Sequence, residues 1–358
     1  MKKALLALLL ALCLLLCGCN NFLDGSYASV TPHTAQQVQT SQGMVNVSTF
    51  QECIKFLTDM TENGRENAIF ALDPTNAADI LENMDAAIVY VSKSTPIGAF
   101  TVDEISYEVG STAGMQVVGI TVSYNANQLA IKTMRSVKDS EDALLMIEEA
   151  LTQCKDRLVI YLDAYTYLDF DKYIREFVIN RPDVVMETPQ VDIRFYPEIG
   201  DARVMDVRFS YQNQLESLRQ MQNYVQPVFA AAELNVRGED VESTKLSMLY
   251  SFLMERNDYR LGTSNTPAYS LLRHGVGNSV AFARVYAAMC RKAGLECYVV
   301  SGARNGEPWT WNIIRDGDLY YHLDLLRADE LGGFYRWTDA EMEGYIWDYS
   351  SYPACVAP

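Results

Sequence analysis

The sequence predicts an α+β protein with several domains, and three observations support that prediction. The same order of helical and strand-like segments occurs twice between residues 46 and 212. From residue 213 a different pattern begins, and it is mainly helical at first. The 358-residue chain also exceeds the size that one hydrophobic core normally supports.

Residues 1–18 have the composition of a bacterial lipoprotein signal peptide. Two lysines precede an apolar run that is too short to serve as a permanent membrane span. The run ends in the letters LCGC, which match a lipobox, so we expect acylation of Cys19, with Cys17 as the alternative acceptor. Acyl chains anchor stably because each buried methylene contributes about 0.8 kcal/mol. The prediction is a lipid anchor in the cell membrane with the protein on its extracytoplasmic face; the alternative is a secreted protein cleaved nearby.

The segment 19–45 is polar and lacks a sustained periodicity, which predicts a tether rather than a folded element. The chain as a whole is acidic. Loss of Lys2 and Lys3 with the signal peptide changes the formal net charge from −17 to −19. A charge of this sign repels phosphate backbones, so no nucleic-acid partner is expected.

Cysteine usage indicates neither a regular disulfide framework nor a metal site. No CxxC or Cys/His spacing suggests a metal, and no glycine-rich phosphate loop follows a strand, so we expect no metal and no cofactor. A Cys290–Cys297 bridge and buried free thiols remain alternatives. The cysteines beyond the lipidation site are Cys53, Cys154, Cys290, Cys297 and Cys355.

Two tandem α/β repeats are predicted, over 46–130 and 131–212. Each shows a helix, a strand, a second helix and two alternating strands around a glycine-containing turn, which is typical of a β-hairpin. The matched segments are 50–72 with 143–162, 76–84 with 170–180, and 102–125 with 191–212. Neither repeat contains a histidine or a recurring cluster of acids or thiols. The repeats are therefore expected to space or present something, not to catalyse.

The segment with the most chemical information begins at Ala268. It reads AYSLLRHGVGNS, then VAFARVYAAMCRKAGLECYVVSG, then PWTWNII and YYHLDLL. This order and spacing resemble the transglutaminase-like, papain-type domains, in which a Cys opens a helix, a His follows on one strand and an Asp on the next. The resemblance covers 213–345 and implies that 213–358 is a papain-like transglutaminase-core domain, a helix bundle packed on an antiparallel sheet.

By this resemblance the triad positions are Ser279, Trp309 and Asp324, so only the Asp survives. A hydroxyl needs a general base more than a thiol does, and an indole nitrogen is only a donor. The resemblance therefore implies an inactive domain. The alternative is an acyl-transfer enzyme, such as an amidase, peptidase or transglutaminase, that uses Ser279 with His322 as substitute base. On a strand, His322 shares a face with Asp324.

We expect the degenerate cleft to bind a peptide, a cell-wall fragment or a protein. The candidate ligand contacts are Trp309, Trp311, Asn312 and Tyr269. Trp309 and Trp311 alternate on one strand, where they serve either as core packing or as an aromatic platform. The function predicted from the sequence is thus that of a cell-surface lipoprotein whose transglutaminase-like domain binds without turnover.

Overall fold

The computed structural model describes residues 44–262 and 264–357. In these ranges the strands form three four-stranded sheets and one two-stranded ladder, and helices pack against the sheets. The predicted α+β fold class is confirmed. None of the helices in the described ranges is long and apolar enough to cross a membrane. The predicted signal peptide, Cys17, Cys19 and the predicted tether as far as residue 43 lie outside the described residues.

The first α/β module extends from residue 45 to residue 124. Its elements are β1 (Val45–Val47), α1 (Phe50–Glu62), β2 (Asn67–Leu72), α2 (Ala77–Glu82), α3 (Met84–Ser94), α4 (Pro96–Thr101), β3 (Val102–Thr112) and β4 (Met115–Tyr124). The strands lie in the order β1-β2-β4-β3. Phe56 of α1 packs against Phe70 of β2, with ring centroids 4.9 Å apart. This contact joins the apolar stripe of the helix to the inner face of the sheet.

The second module extends from residue 128 to residue 210 and has the same strand order, β5-β6-β8-β7. Its elements are α5 (Gln128–Ile131), β5 (Arg135–Asp139), α6 (Ser140–Thr152), β6 (Arg157–Ala164), α7 (Phe170–Asn180), β7 (Gln190–Tyr196) and β8 (Arg203–Ser210). β5 runs parallel to β6, and the other pairs of this sheet are antiparallel. The two modules differ between their second strand and their hairpin, where the first has three helices and the second has one.

The sequence patterns missed the short opening strand of each module, and they also missed the helices Met84–Ser94, Pro96–Thr101 and Gln128–Ile131. β1 and β5 have three and five residues, which is too few for a recognisable alternation. The predicted boundary after residue 130 falls inside α5, and the one after residue 212 falls between β8 and the next helix. These boundaries stay predictions.

The C-terminal region places helices against an antiparallel sheet. Its helices are α8 (Leu215–Asn235), α9 (Glu242–Met254), α10 (Pro267–His274), α11 (Ser279–Lys292) and α12 (Leu325–Glu330). Its strands are β9 (Asp258–Tyr259), β10 (Val276–Gly277), β11 (Cys297–Arg304), β12 (Glu307–Asp316), β13 (Leu319–Leu323) and β14 (Tyr345–Ile346). β9 pairs with β10, and the larger sheet has the order β13-β12-β11-β14. A large apolar core lies between these helices and this sheet.

Helix α11 is the central helix of this region and is buried along most of its length. Its alanines, at positions 281, 283, 287 and 288, are all buried and allow the helix to approach its neighbours closely. Gly277 precedes it at a tight point, since an added Cβ there would lie 2.9 Å from the Cβ of Ala281. Cys290 and Cys297 are both free thiols, so the alternative of a bridge between them is not observed.

Candidate functional site

The three triad-equivalent residues lie at distinct points of this scaffold. Ser279 is the first residue of α11, and the preceding Asn278 caps that helix by accepting a hydrogen bond from the Ala281 N–H at 3.2 Å. Trp309 lies on β12, and Asp324 caps α12. Within the described residues, the Ser279 hydroxyl has no hydrogen bond to Trp309 or Asp324. The nucleophile position is therefore not joined to the other two.

Trp309 and Asp324 are joined directly. The indole Nε1 of Trp309 donates a hydrogen bond of 2.8 Å to Oδ2 of Asp324, and the hydroxyl of Tyr345 donates to the same oxygen at 2.6 Å. Burial, together with the Asp324 carboxylate, raises the pKa of Tyr345 above its ordinary value, so the phenol keeps its proton. The indole thus supplies the N–H that an imidazole would give the carboxylate. It has no lone pair with which to accept a proton from Ser279.

The remaining contacts saturate the Asp324 carboxylate. Its Oδ1 accepts the backbone N–H groups of Leu326 and Arg327 at 3.2 Å and 3.3 Å, which is a helix N-cap. Nη1 of Arg304 lies 3.7 Å from Oδ2. Asp324 is only 1% exposed, and a buried carboxylate requires such compensation. The aspartate therefore stabilises the local structure without a histidine.

The ring of Trp309 is already contacted by side chains of the chain itself. Tyr259 lies 5.7 Å away between ring centroids at an angle of 53°. The guanidinium of Arg304 lies over the ring, 5.4 Å from its centroid, in a cation–π contact. These contacts favour packing over an aromatic platform for a ligand.

His322 is held away from a catalytic role. Its Nδ1 accepts a hydrogen bond of 2.9 Å from Nε1 of Trp311, and its Nε2 lies 2.8 Å from Oδ1 of Asp339. Because the indole can only donate, Nδ1 carries the lone pair, and Nε2 carries the proton that it donates to Asp339. Burial lowers the pKa of His322, although Asp339 opposes this effect. No lone pair remains for a serine hydroxyl, so the geometry contradicts His322 as the substitute base for Ser279.

The sequence comparisons agree with this arrangement of helix and strands. The family model of the transglutaminase-like superfamily matches residues 230–347. This region is a transglutaminase-like superfamily domain. No curated protein matches the chain.

The chain is also similar to solved structures, at low identity. A TGase shares 11% identity at a TM-score of 0.27, over 54% of this chain and 59% of that one. A candidate cysteine protease from Cytophaga hutchinsonii shares 12% identity at a TM-score of 0.27, over 44% and 70%. A candidate protease from Parabacteroides distasonis shares 8% identity at a TM-score of 0.24, over 72% and 39%. The chain therefore spans less than two thirds of the first and third of these structures.

One cluster in the C-terminal region resembles a metal site. Donor atoms of His322, Asp339 and Cys355 lie within 4.8 Å of one another. A histidine that binds a metal normally donates its other ring N–H to an acceptor, whereas the other nitrogen of His322 faces the N–H of Trp311. Burial, and then Asp339, raises the pKa of Cys355 to about 12, which disfavours a thiolate ligand. The donor set therefore fits a hydrogen-bonded cluster and does not fit a metal.

Two predicted ligand contacts are corrected by their burial. Trp311 and Asn312 are each 0% exposed, so neither side chain can line an open cleft. Nδ2 of Asn312 donates to the carbonyl oxygens of Ala283 at 2.9 Å and Tyr298 at 3.2 Å, which ties α11 to the sheet. Alternation placed Trp311 on the same face of the strand as Trp309, but it did not reveal that the rings of His322, Tyr345 and Trp347 cover Trp311.

Tyr269 is also separate from Trp309. It lies on α10, where its ring contacts Tyr224 at 5.9 Å and His274 at 5.5 Å between centroids. Its packing is against the helical layer, and the prediction that it lines a cleft with Trp309 is not supported by these contacts.

The sequence patterns missed Arg304 and Tyr345, which surround Asp324. The two residues meet because β14 pairs with β11, and Arg304 lies opposite Tyr345 in that ladder. No local spacing predicts this pairing, since β14 has only two residues.

An open groove lies beside the start of α11. It has a volume of about 160 Å³, and Arg260, Ser264, Ser270 and Asn278 supply its polar lining. We call it the Arg260 groove. It adjoins the nucleophile position through Asn278, the residue before Ser279. Its polar groups and its opening to solvent distinguish it from the packed region around Trp309.

Proposed function

We propose that the transglutaminase-like domain is a non-catalytic peptide-binding module of a lipid-anchored protein on the bacterial cell surface. The observation that supports this proposal is the Trp309–Asp324 hydrogen bond, in which an indole replaces the imidazole of a triad. The indole of Trp309 donates a hydrogen bond to Asp324, as the histidine of a triad would, but it cannot accept a proton as a base.

The expected rate of any acyl transfer is very low. Removing the base of a nucleophilic triad costs roughly a factor of 10⁶ in rate in subtilisin. In this domain the thiol is also replaced, by the hydroxyl of Ser279. His322 does not compensate because its ring nitrogens are engaged by Trp311 and Asp339.

The Arg260 groove is the proposed peptide site. It holds a guanidinium, two serine hydroxyls and the Asn278 side chain around about 160 Å³, enough for one or two side chains of an extended peptide. Polar groups of this kind hydrogen-bond to a peptide backbone, and the groove lies where a substrate would approach Ser279.

The binding experiment uses the protein without its signal peptide. Glutamine-containing peptides and cell-wall peptides are titrated against wild type and Arg260→Ala, with Arg256→Ala as a control. Arg256 is also exposed, but its guanidinium is engaged by the Phe252 carbonyl oxygen at 2.8 Å. We expect binding that Arg260→Ala weakens by about tenfold, the loss of one charge-assisted hydrogen bond. If Arg260→Ala and Arg256→Ala bound the peptides with equal affinity, the Arg260 groove would not be the peptide site.

The anchor has a test of its own. Metabolic labelling with a fatty-acid analogue is expected to mark the protein, and Cys19→Ser is expected to abolish the mark and release the protein from membranes. Persistent labelling of Cys19→Ser would identify Cys17 as the acceptor. An unlabelled wild type in the soluble fraction would contradict the lipid anchor.

A further inference from the structure

A second open groove lies where the end of α6, in the second module, contacts α8 of the C-terminal region. Its volume is about 460 Å³, within the range of roughly 300–1,000 Å³ that is typical of small-molecule sites. All of its lining residues are polar, and two of them are cations. We call it the Gln222 groove, and its lining residues are Gln153, Lys155, Arg219, Gln222 and Asn223.

The most buried part of this groove is the side chain of Gln222, which is only 7% exposed. Its Nε2 donates hydrogen bonds to the carbonyl oxygens of Thr152, at 2.8 Å, and Val184. These two bonds fix the orientation of the amide. Within the described residues Oε1 of Gln222 accepts no hydrogen bond, although a buried carbonyl oxygen normally has a donor. The groove therefore offers a fixed acceptor to a ligand that carries an N–H or O–H group.

Lys155 is the first cation of the groove, and no carboxylate is hydrogen-bonded to it in the described residues. Its Nζ lies 3.8 Å from Oε1 of Glu149, which is beyond hydrogen-bond distance. Both oxygens of Glu149 already accept shorter bonds, from Nη2 of Arg135 at 2.9 Å and from Nε2 of Gln153 at 3.0 Å. Lys155 therefore keeps its donors for another acceptor.

Arg219 is the second cation. Its Nε and Nη2 donate long hydrogen bonds to the carbonyl oxygen of Gln153, at 3.4 Å and 3.5 Å, which place the guanidinium beside the groove. Its Nη1 lies 3.8 Å from Oε2 of Glu216 and makes no hydrogen bond in the described residues. By contrast, Arg157 and Arg181 each bind an aspartate, at 2.7 Å and 3.0 Å. In a chain with 46 acidic and 29 basic residues, two such cations beside one groove favour a negatively charged ligand.

We propose that the Gln222 groove binds the C-terminal end of a peptide. The terminal carboxylate would accept charge-assisted hydrogen bonds from Lys155 and Arg219, and the amide N–H of the last residue would donate to Oε1 of Gln222. This acceptor favours a peptide end over a simple anion, which has no donor. The groove shares no lining residue with the Arg260 groove, so the inference does not rest on the peptide binding proposed there.

The first part of the test varies the ligand and uses the protein without its signal peptide. N-acetyl-alanyl-alanine carries both groups, its C-terminal amide lacks the carboxylate, and its analogue methylated at the last amide nitrogen lacks the N–H. Isothermal titration calorimetry should show binding of the first probe. The second and third probes should each bind about tenfold more weakly, because each has lost one set of hydrogen bonds. This comparison needs no variant and therefore does not depend on the folding of one.

The second part varies the protein. Lys155→Gln/Arg219→Gln should weaken binding of the first probe by about tenfold or more. The control Lys172→Gln/Arg194→Gln removes the same charge from exposed sites of the same module and should not change the affinity. Arg260→Ala should also bind normally, since it changes the other groove.

Two results would overturn the proposal. One is an absence of binding by wild type at millimolar peptide, or equal affinity in wild type and Lys155→Gln/Arg219→Gln. The other is equal binding of the first probe, its N-methylated analogue and glucuronic acid, because the groove would then accept any carboxylate and would not recognise a peptide end.

Discussion

Two ring–carboxylate pairs in the transglutaminase-like domain have the same hydrogen-bond length and opposite chemical capacities. His322–Asp339 and Trp309–Asp324 each measure 2.8 Å between nitrogen and oxygen. The histidine pair contains a base, but Trp311 occupies its second nitrogen. The tryptophan pair lies where the resemblance predicts a catalytic histidine and aspartate, and it contains no base. A histidine in such a domain can act as a base only if one of its ring nitrogens keeps a free lone pair. The hydrogen-bond partners of both nitrogens therefore decide its role.

The largest expected effect is the loss of unfolding free energy when a carboxylate is removed, and it should differ between Asp324 and Asp339. Asp324→Ala leaves the Trp309 indole and the Tyr345 hydroxyl without an acceptor, and should reduce the free energy of unfolding by about 3–4 kcal/mol. Asp339→Ala should cost about 1–2 kcal/mol, because its side chain is 31% exposed and water can replace it. Urea unfolding measures both. Similar losses for the two variants would contradict a structural role specific to Asp324.

A smaller effect isolates the indole–carboxylate bond. A double-mutant cycle with Trp309→Phe and Asp324→Asn should give a coupling energy of about 1–2 kcal/mol in urea unfolding. The cycle removes the packing cost that each substitution has alone. A coupling energy near zero would mean that Trp309 only fills space and does not replace the donor function of the missing histidine.

The smallest effect is a pH dependence from His322. Its pKa is lowered in the folded protein by burial, so the unfolded chain binds this proton more readily. Its contribution to stability is therefore complete above the unfolded pKa of about 6.5 and is lost as the pH falls below that value. His322→Gln should flatten this slope of unfolding free energy between pH 7.5 and pH 5, whereas His274→Gln, at an exposed site, should retain it. An unchanged slope in His322→Gln would mean that folding does not change the pKa of this imidazole, which would contradict the lowered pKa.

The sequence predicted the features that are set by the spacing of residues close together in the chain. The start of α11 at Ser279, the position of Trp309 on β12 and the position of Asp324 directly after β13 follow from spacing along the chain. Strand alternation and the family pattern were sufficient for them.

The rest depends on contacts between distant segments. Asp339 reaches His322 from a 3₁₀ turn that has no periodic pattern, and Arg304 meets Tyr345 through a two-residue strand. Trp311 and Asn312 were predicted as cleft residues because alternation does not reveal what covers each face of the strand: aromatic rings cover Trp311, and α11 covers Asn312. Burial of this kind is set by the tertiary fold.

Restoring the lost groups tests whether the scaffold is intact. In Ser279→Cys/Trp309→His, the helix N-terminus and the new imidazole should lower the pKa of the thiol. Its rate of alkylation near neutral pH should therefore exceed that of Ser279→Cys alone. Equal rates would show that position 309 does not reach position 279.

The most direct measurement is ammonia release and amine incorporation with glutamine-containing peptides, compared between wild type and Ser279→Ala. Because Ser279 lacks a base, both proteins should remain at the background rate. Turnover by wild type that disappears in Ser279→Ala would contradict the non-catalytic assignment, and a matching loss in His322→Ala would identify His322 as the base.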